Sequence, residues 1–154
     1  MSHDLDDLIA AELRQLHLLV ERRRPLITRS VRGPVELETL DALSALLHSF
    51  YTAVERILVH IAKREGVYKA IQSKAFIWHS VLLNTIAEDT DKHPAVISQE
   101  LHNHLKEYLG FRHVFRHAYL HELQWSKMRR LVENLDKVLV MFESEIGAYL
   151  KRQI

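Results

Sequence analysis

Between Pro34 and Arg64 the chain carries Leu37, Leu40, Leu43, Leu46, Leu47, Phe50, Val54, Ile57, Leu58 and Ile61, spaced mostly three and four residues apart. Sustained over roughly eight turns, that period gathers apolar side chains along one side of an α-helix, whereas a strand would scatter them over both faces. Gly33-Pro34 opens the run and Gly66 closes it, the order that helix ends favour. Only four Gly and three Pro occur in 154 residues, so few breaks are available and long helices are expected throughout.

The same period recurs along the chain. Leu5, Leu8, Ile9, Leu13, Leu16, Leu19 and Val20 predict a helix from Asp4 to about Thr28. Acidic residues lie at its start and Arg22, Arg23 and Arg24 near its end, the sense that complements a helix dipole; Pro25 marks a kink or an early stop. The arginine run reads as a solvated basic helix end, with phosphate contact as the other reading. A third helix is expected from Ser73 to Asp89, with Phe76, Ile77, Leu82, Leu83 and Ile86 as its buried stripe. Within it Trp78-His79 reads as a packing plug whose imidazole is satisfied by a neighbour, with a functional role as the other reading. After the polar break from Asp89 to Pro94, a fourth helix begins near Ala95 and carries Leu101, Leu105, Tyr108 and Leu109 forward. A last one, from about Trp125 to Arg152, buries Met128, Leu131, Leu135, Leu139, Phe142 and Ile146. The expectation is an all-α protein: an up-and-down antiparallel bundle of about five helices in a single domain over residues 1–154.

Composition narrows the function. There is no cysteine, so disulfides and thiolate metal sites are excluded and nothing points to an oxidising compartment; a cytoplasmic protein is expected. No stretch approaches the ~20 apolar residues of a membrane span, and the acidic, amphipathic beginning does not resemble a signal segment. A formal net charge of +1 does not by itself announce nucleic-acid binding, so any such affinity must come from local clustering. No glycine-rich phosphate loop and no internal repeat are present.

One cluster stands out. Residues 108–119 read Tyr-Leu-Gly-Phe-Arg-His-Val-Phe-Arg-His-Ala-Tyr. On a wheel of this segment Phe111, Val114, Phe115 and Ala118 share one side. Arg112, His113, Arg116 and His117 spread over a wedge of roughly 140° opposite them. Tyr119 returns almost above Arg112, since seven residues nearly close two turns. An arginine buried without a carboxylate is costly, so the wedge is expected to face water, a partner or a ligand.

Arg112, His117 and Tyr119 form Arg-x4-His-x-Tyr, and with Phe111, His113 and Arg116 the segment resembles the motif block of HepT-like proteins of the HEPN superfamily. Residues 48–57, His-Ser-Phe-Tyr-Thr-Ala-Val-Glu-Arg-Ile, resemble the second helix of the same proteins. There Tyr51 and Glu55 read either as an ordinary i,i+4 pair or as residues beside the active site. The resemblance spans nearly the whole chain, weakest in the first helix, and implies a HEPN-like helical bundle. It also implies a metal-independent endoribonuclease toxin of a type II HEPN/MNT toxin–antitoxin pair, needing no cofactor, with Arg112 and His117 as catalytic residues. Its implied partners are a second copy of the chain in a homodimer, an RNA substrate and an MNT-type nucleotidyltransferase antitoxin that transfers AMP to Tyr119. The other reading of Tyr119 is a helix-end anchor through its hydroxyl.

The residue types suit that chemistry. Metal-free cleavage needs a base for the 2′-hydroxyl, an acid for the leaving oxygen and cations for the developing charge. His117 suits the proton transfer and Arg112 the phosphate clamp, while Arg116 and His113 can hold a neighbouring phosphate. Arg112 and His117 nevertheless project ~140° apart on an ideal helix. A long arginine reaching round, a local distortion, or a site built between two chains would bring them together, and the resemblance favours the last. Two other classes stay open. His113, His117 and His121, one turn apart with Glu107 and Glu122 nearby, form a ladder able to hold a metal, although Arg112 and Arg116 would repel a dication. A non-catalytic assembly module is the second alternative. His3, His17, His93, His102 and His104 are expected at the surface.

Overall fold

A computed structural model describes residues 2–117 and 124–152, and of Ser2, His3, Arg116 and His117 the backbone alone. Among these residues the helices are α1 (Ser2–Arg22), α2 (Arg24–Arg32), α3 (Leu37–Arg64), α4 (Tyr68–Gln72), α5 (Trp78–Ile86), α6 (Gln99–His117), α7 (Trp125–Glu133) and α8 (Leu135–Arg152). A single 3-10 turn, Ala75–Ile77, leads into α5. No strand occurs among the described residues.

The five expected helices are present, with the first and last each divided. The first divides at Arg23, where Pro25 enters at the start of α2; its ring lacks an N–H and cannot continue the ladder of α1. The last divides at Asn134, whose N–H still bonds to Arg130 O at 3.0 Å while Val138 N bonds to Asn134 O at 3.0 Å, so the chain bends without losing its helical bonds. Nothing in the sequence marks that bend. At the end of α3, Gly66 takes φ +74°. Its N–H bonds to Lys63 O at 3.2 Å and that of Val67 to Ala62 O at 3.0 Å, the paired bonds by which a left-handed glycine closes a helix.

The long helix α3 is the axis of the bundle and packs against α1, α5, α6 and α7. Its buried residues, from Leu43 and Leu47 through Phe50, Tyr51, Val54, Ile57 and Leu58 to Ile61, cover an arc of about 180° when Leu46 and Glu55 are taken as the two edges. That is wider than the stripe of a surface helix, because neighbours cover it on several sides. Phe50 and Tyr108 meet at 5.2 Å between ring centroids, and the Tyr108 hydroxyl donates to Leu131 O at 2.6 Å, tying α3, α6 and α7 together. Burial pushes the Tyr108 phenol above its ordinary range.

The start of α6 is fixed independently. Ser98 Oγ accepts from Leu101 N at 3.1 Å, as an N-cap should, while Glu145 of α8 accepts from Ser98 N at 2.6 Å and Ser98 Oγ at 2.9 Å. Thus α6 is anchored at its base before it carries the histidines and arginines forward. His93, expected at the surface, is buried in the preceding loop, with Nδ1 2.8 Å from Pro94 O. The loop folds back on itself through Thr90 and Asp89 and draws the ring inward. Arg24 of the basic run is paired rather than simply solvated, bonding Glu21 at 2.6 Å and Asp136 of α8.

Phe76 and Ile77 depart furthest from expectation. They do not join a buried stripe: Phe76 is 90% exposed and Ile77 50%. The helical phase used to place them assumes a helix running from Ser73. Ala75 instead adopts φ +57°, and α5 begins only at Trp78, so the two residues lie before the phase is set. No helix among the described residues is long and apolar enough to cross a membrane.

Candidate functional site

Arg112 is 2% exposed. The expectation that it lies on an open wedge is therefore corrected, and the reason is visible along α6. Leu101, Leu105 and Tyr108 form the buried side of that helix, and Arg112 follows them at steps of four, three and four. Its side chain continues the core stripe of α6, while His113 and Val114 are exposed. A window beginning at Tyr108 misses this phase.

Burial is made possible by Glu55 of α3. Arg112 Nη1 donates to Glu55 Oε1 at 3.2 Å and Nη2 to Oε2 at 3.0 Å, a two-pronged ion pair. The guanidinium also lies over the Tyr51 ring, 4.9 Å from its centroid. The Tyr51 phenol is held above its usual range by burial, reinforced by the Glu55 carboxylate and opposed by Arg112. Of the two readings left open for Tyr51 and Glu55, an ordinary i,i+4 pair does not describe them, since both turn toward Arg112.

A third side chain completes the cluster. His79, on the first turn of α5, sets Nδ1 2.8 Å from Glu55 Oε2 and 3.0 Å from Arg112 Nη2. Trp78 stacks on the same ring at 4.0 Å between centroids. The imidazole is satisfied by neighbours as expected, yet it is more than a plug. Together with Arg112 it lines a groove of about 550 Å³ between α5 and α6, whose walls include Phe76, Ser80, Lys106 and His113. Among the described residues no carboxylate lines this groove; Glu55 bonds to Arg112 and His79, which do line it. A cavity of about 630 Å³ between α6 and α7 is larger but has no histidine among the described residues of its walls.

Of the residues singled out from the sequence, Arg112 and His113 therefore meet at one groove. Position 117 lies one turn beyond His113 on α6, and Arg116 follows Arg112 by one turn, with only their backbones described. Tyr119, His121 and Glu122 lie outside the described residues, so the histidine ladder is represented here by His113 alone. Among the described residues no group of three His, Asp or Glu is arranged to hold a metal ion. Glu55 and His79 were not singled out as site residues. Glu55 had one signal: a carboxylate one turn after Tyr51 at the edge of a strongly apolar helix face, which needs a cation. His79 had none beyond its place beside Trp78.

An α-helical bundle with an arginine–carboxylate–histidine cluster under a cationic groove defines the class. Within it, the model of the family described as HepT-like protein matches residues 42–153. The chain belongs to the HepT-like family. The match begins inside α3 and includes Glu55, His79 and Arg112. No curated protein and no solved structure matches the chain.

Proposed function

We propose that this protein is a metal-independent endoribonuclease toxin that cleaves RNA through Arg112 and His117. The observation that carries the reading is the presentation of Arg112, the first residue of the Arg-x4-His pattern, at the floor of a groove with Lys106 and His113 in its walls. Glu55 engages both Nη atoms, but a guanidinium has five N–H donors, so hydrogens remain for a phosphate oxygen without breaking the pair. Held in this way Arg112 positions charge without reorganising when charge develops on phosphorus.

His117 exchanges the proton, His113 and Arg116 steady the adjoining phosphate, and a homodimer completes the cleft. One feature supports the dimer: the ~140° between positions 112 and 117 on one helix, which a second chain would bridge. A two-fold pair also doubles the local positive charge, which a chain of net charge +1 requires to hold RNA. An MNT-type nucleotidyltransferase antitoxin silences the site by transferring AMP to Tyr119, whose added phosphate competes for the same cations.

The test is degradation of RNA by the purified protein in excess EDTA. Cleavage is expected to leave 2′,3′-cyclic phosphate ends and to be abolished in His117→Ala. Undiminished cleavage in that variant would remove His117 from the mechanism, and loss with EDTA restored by zinc would replace this reading with a metal-dependent one.

A further inference from the structure

A metal-free cleavage of RNA moves two protons, one off the 2′-hydroxyl and one onto the departing 5′-oxygen. The Arg-x4-His pattern supplies one imidazole per chain for this. We infer that His79 is the second proton-transfer residue, with Glu55 as its positioning residue; the inference rests on the ribonuclease reading above.

The geometry distinguishes the two ring nitrogens. Nδ1 faces the buried Glu55 carboxylate at 2.8 Å. With the hydrogen on Nδ1 the ring donates to Oε2; with the hydrogen on Nε2, a lone pair would confront an acceptor-only oxygen at that distance. Arg112 Nη2, 3.0 Å from Nδ1, could donate only to a lone pair there, but it already donates to Glu55 Oε2; the shorter carboxylate contact takes the ring hydrogen on Nδ1 and leaves a lone pair on Nε2. Among the described residues no hydrogen bond engages Nε2, and the side chain is 27% exposed where it lines the groove. A buried carboxylate fixing an imidazole whose other nitrogen meets the ligand is the arrangement by which enzymes orient a general base. Trp78, stacked on the ring, holds its plane.

The groove fits a ribonucleotide of single-stranded RNA. Lys106 and His113 offer contacts for phosphate, and Phe76, almost fully exposed on the rim, offers a face on which a base can stack. In the step that follows, His79 Nε2 takes the 2′-hydroxyl proton as O2′ bonds to phosphorus. The bond from phosphorus to the 5′-oxygen breaks, and that oxygen receives its proton from His117. The products are a 2′,3′-cyclic phosphate and a free 5′-hydroxyl, with no oxidant, reductant or metal required.

His79→Asn tests this, because its amide nitrogen can replace Nδ1 as a donor to Glu55 while nothing replaces Nε2. In EDTA, this variant is expected to cleave a single-stranded RNA oligonucleotide at least ~100-fold more slowly. It should bind the 2′-O-methyl form of the oligonucleotide within threefold of the unaltered protein and lose one limb of the pH–rate profile. In the unaltered protein, titration with a 2′-O-methyl dinucleotide should shift the His79 Nε2 resonance saturably. Cleavage by His79→Asn within threefold, with an unchanged profile, overturns the role of His79 while leaving Arg112 and His117 in place. A His79 resonance unmoved by the dinucleotide does the same, whether or not the variant folds. Absence of cleavage by the unaltered protein overturns both readings together.

Discussion

Glu55 and Arg112, 57 residues apart in sequence, form a two-pronged ion pair between α3 and α6 with both side chains nearly removed from water. Removing either partner leaves a buried charge uncompensated, which costs about 3–5 kcal/mol. Glu55→Ala and Arg112→Ala are each expected to destabilise the fold by that order. Glu55→Leu combined with Arg112→Met should lie closer to the parent than either single alanine variant. Urea unfolding of the set measures the coupling, and additive losses would contradict it.

Ala75 is the only non-glycine residue with positive φ among those described. A left-handed conformation strains an L-residue with a Cβ and does not strain glycine. Ala75→Gly is therefore expected to raise stability by about 1 kcal/mol, read as a higher midpoint in urea at unchanged slope. An unchanged or lower midpoint would show that the turn before α5 holds no recoverable strain.

His60, on α3, has its imidazole pushed below the ordinary range by burial, aided by Lys63 and Arg56 and opposed by Glu12. As pH falls through about 6.5, the unfolded chain takes up a proton that the folded one resists. The contribution of this group is thus complete above that pH and lost below it. Between pH 7.5 and pH 5 the parent should lose more stability than His60→Gln, measured as paired urea midpoints. Equal losses would assign the acid sensitivity elsewhere.

The proposed nucleotidyl transfer gives a prediction for Tyr119. Tyr119→Phe is expected to retain ribonuclease activity and to gain no AMP on incubation with the nucleotidyltransferase antitoxin and ATP. Intact-mass spectrometry decides: an adduct of AMP mass on that variant would move the modification to another residue.

Much of the bundle was legible because apolar period is a local property. Nine of the ten apolar positions of α3, all but the exposed Leu37 at its first turn, and the stripe of α8 could be placed from spacing alone, and Gly66 and Pro25 marked two of the real breaks. Phe76 was misplaced because its phase depends on where α5 begins, and a left-handed Ala75 leaves no trace in composition. Arg112 was misread for a different reason. Its solvent-facing assignment followed from the charge of the residue over a short window, whereas the phase set by Leu101, Leu105 and Tyr108 points inward. The partner that permits this, Glu55, is remote in sequence. Pairings of that kind are fixed by helix packing, which is why the motif could be found in the sequence but the cluster of Glu55, His79 and Arg112 could not.

That cluster draws one side chain from each of α3, α5 and α6, and this sets when the groove can come into being. Glu55 leaves the ribosome first and Arg112 follows 57 residues later, so a nascent chain halted before α6 has emerged lacks the floor altogether. Whatever chemistry the groove performs is therefore timed by tertiary closure and not by translation of any single segment. A product truncated before α6 lacks Arg112 and with it the ion pair to Glu55.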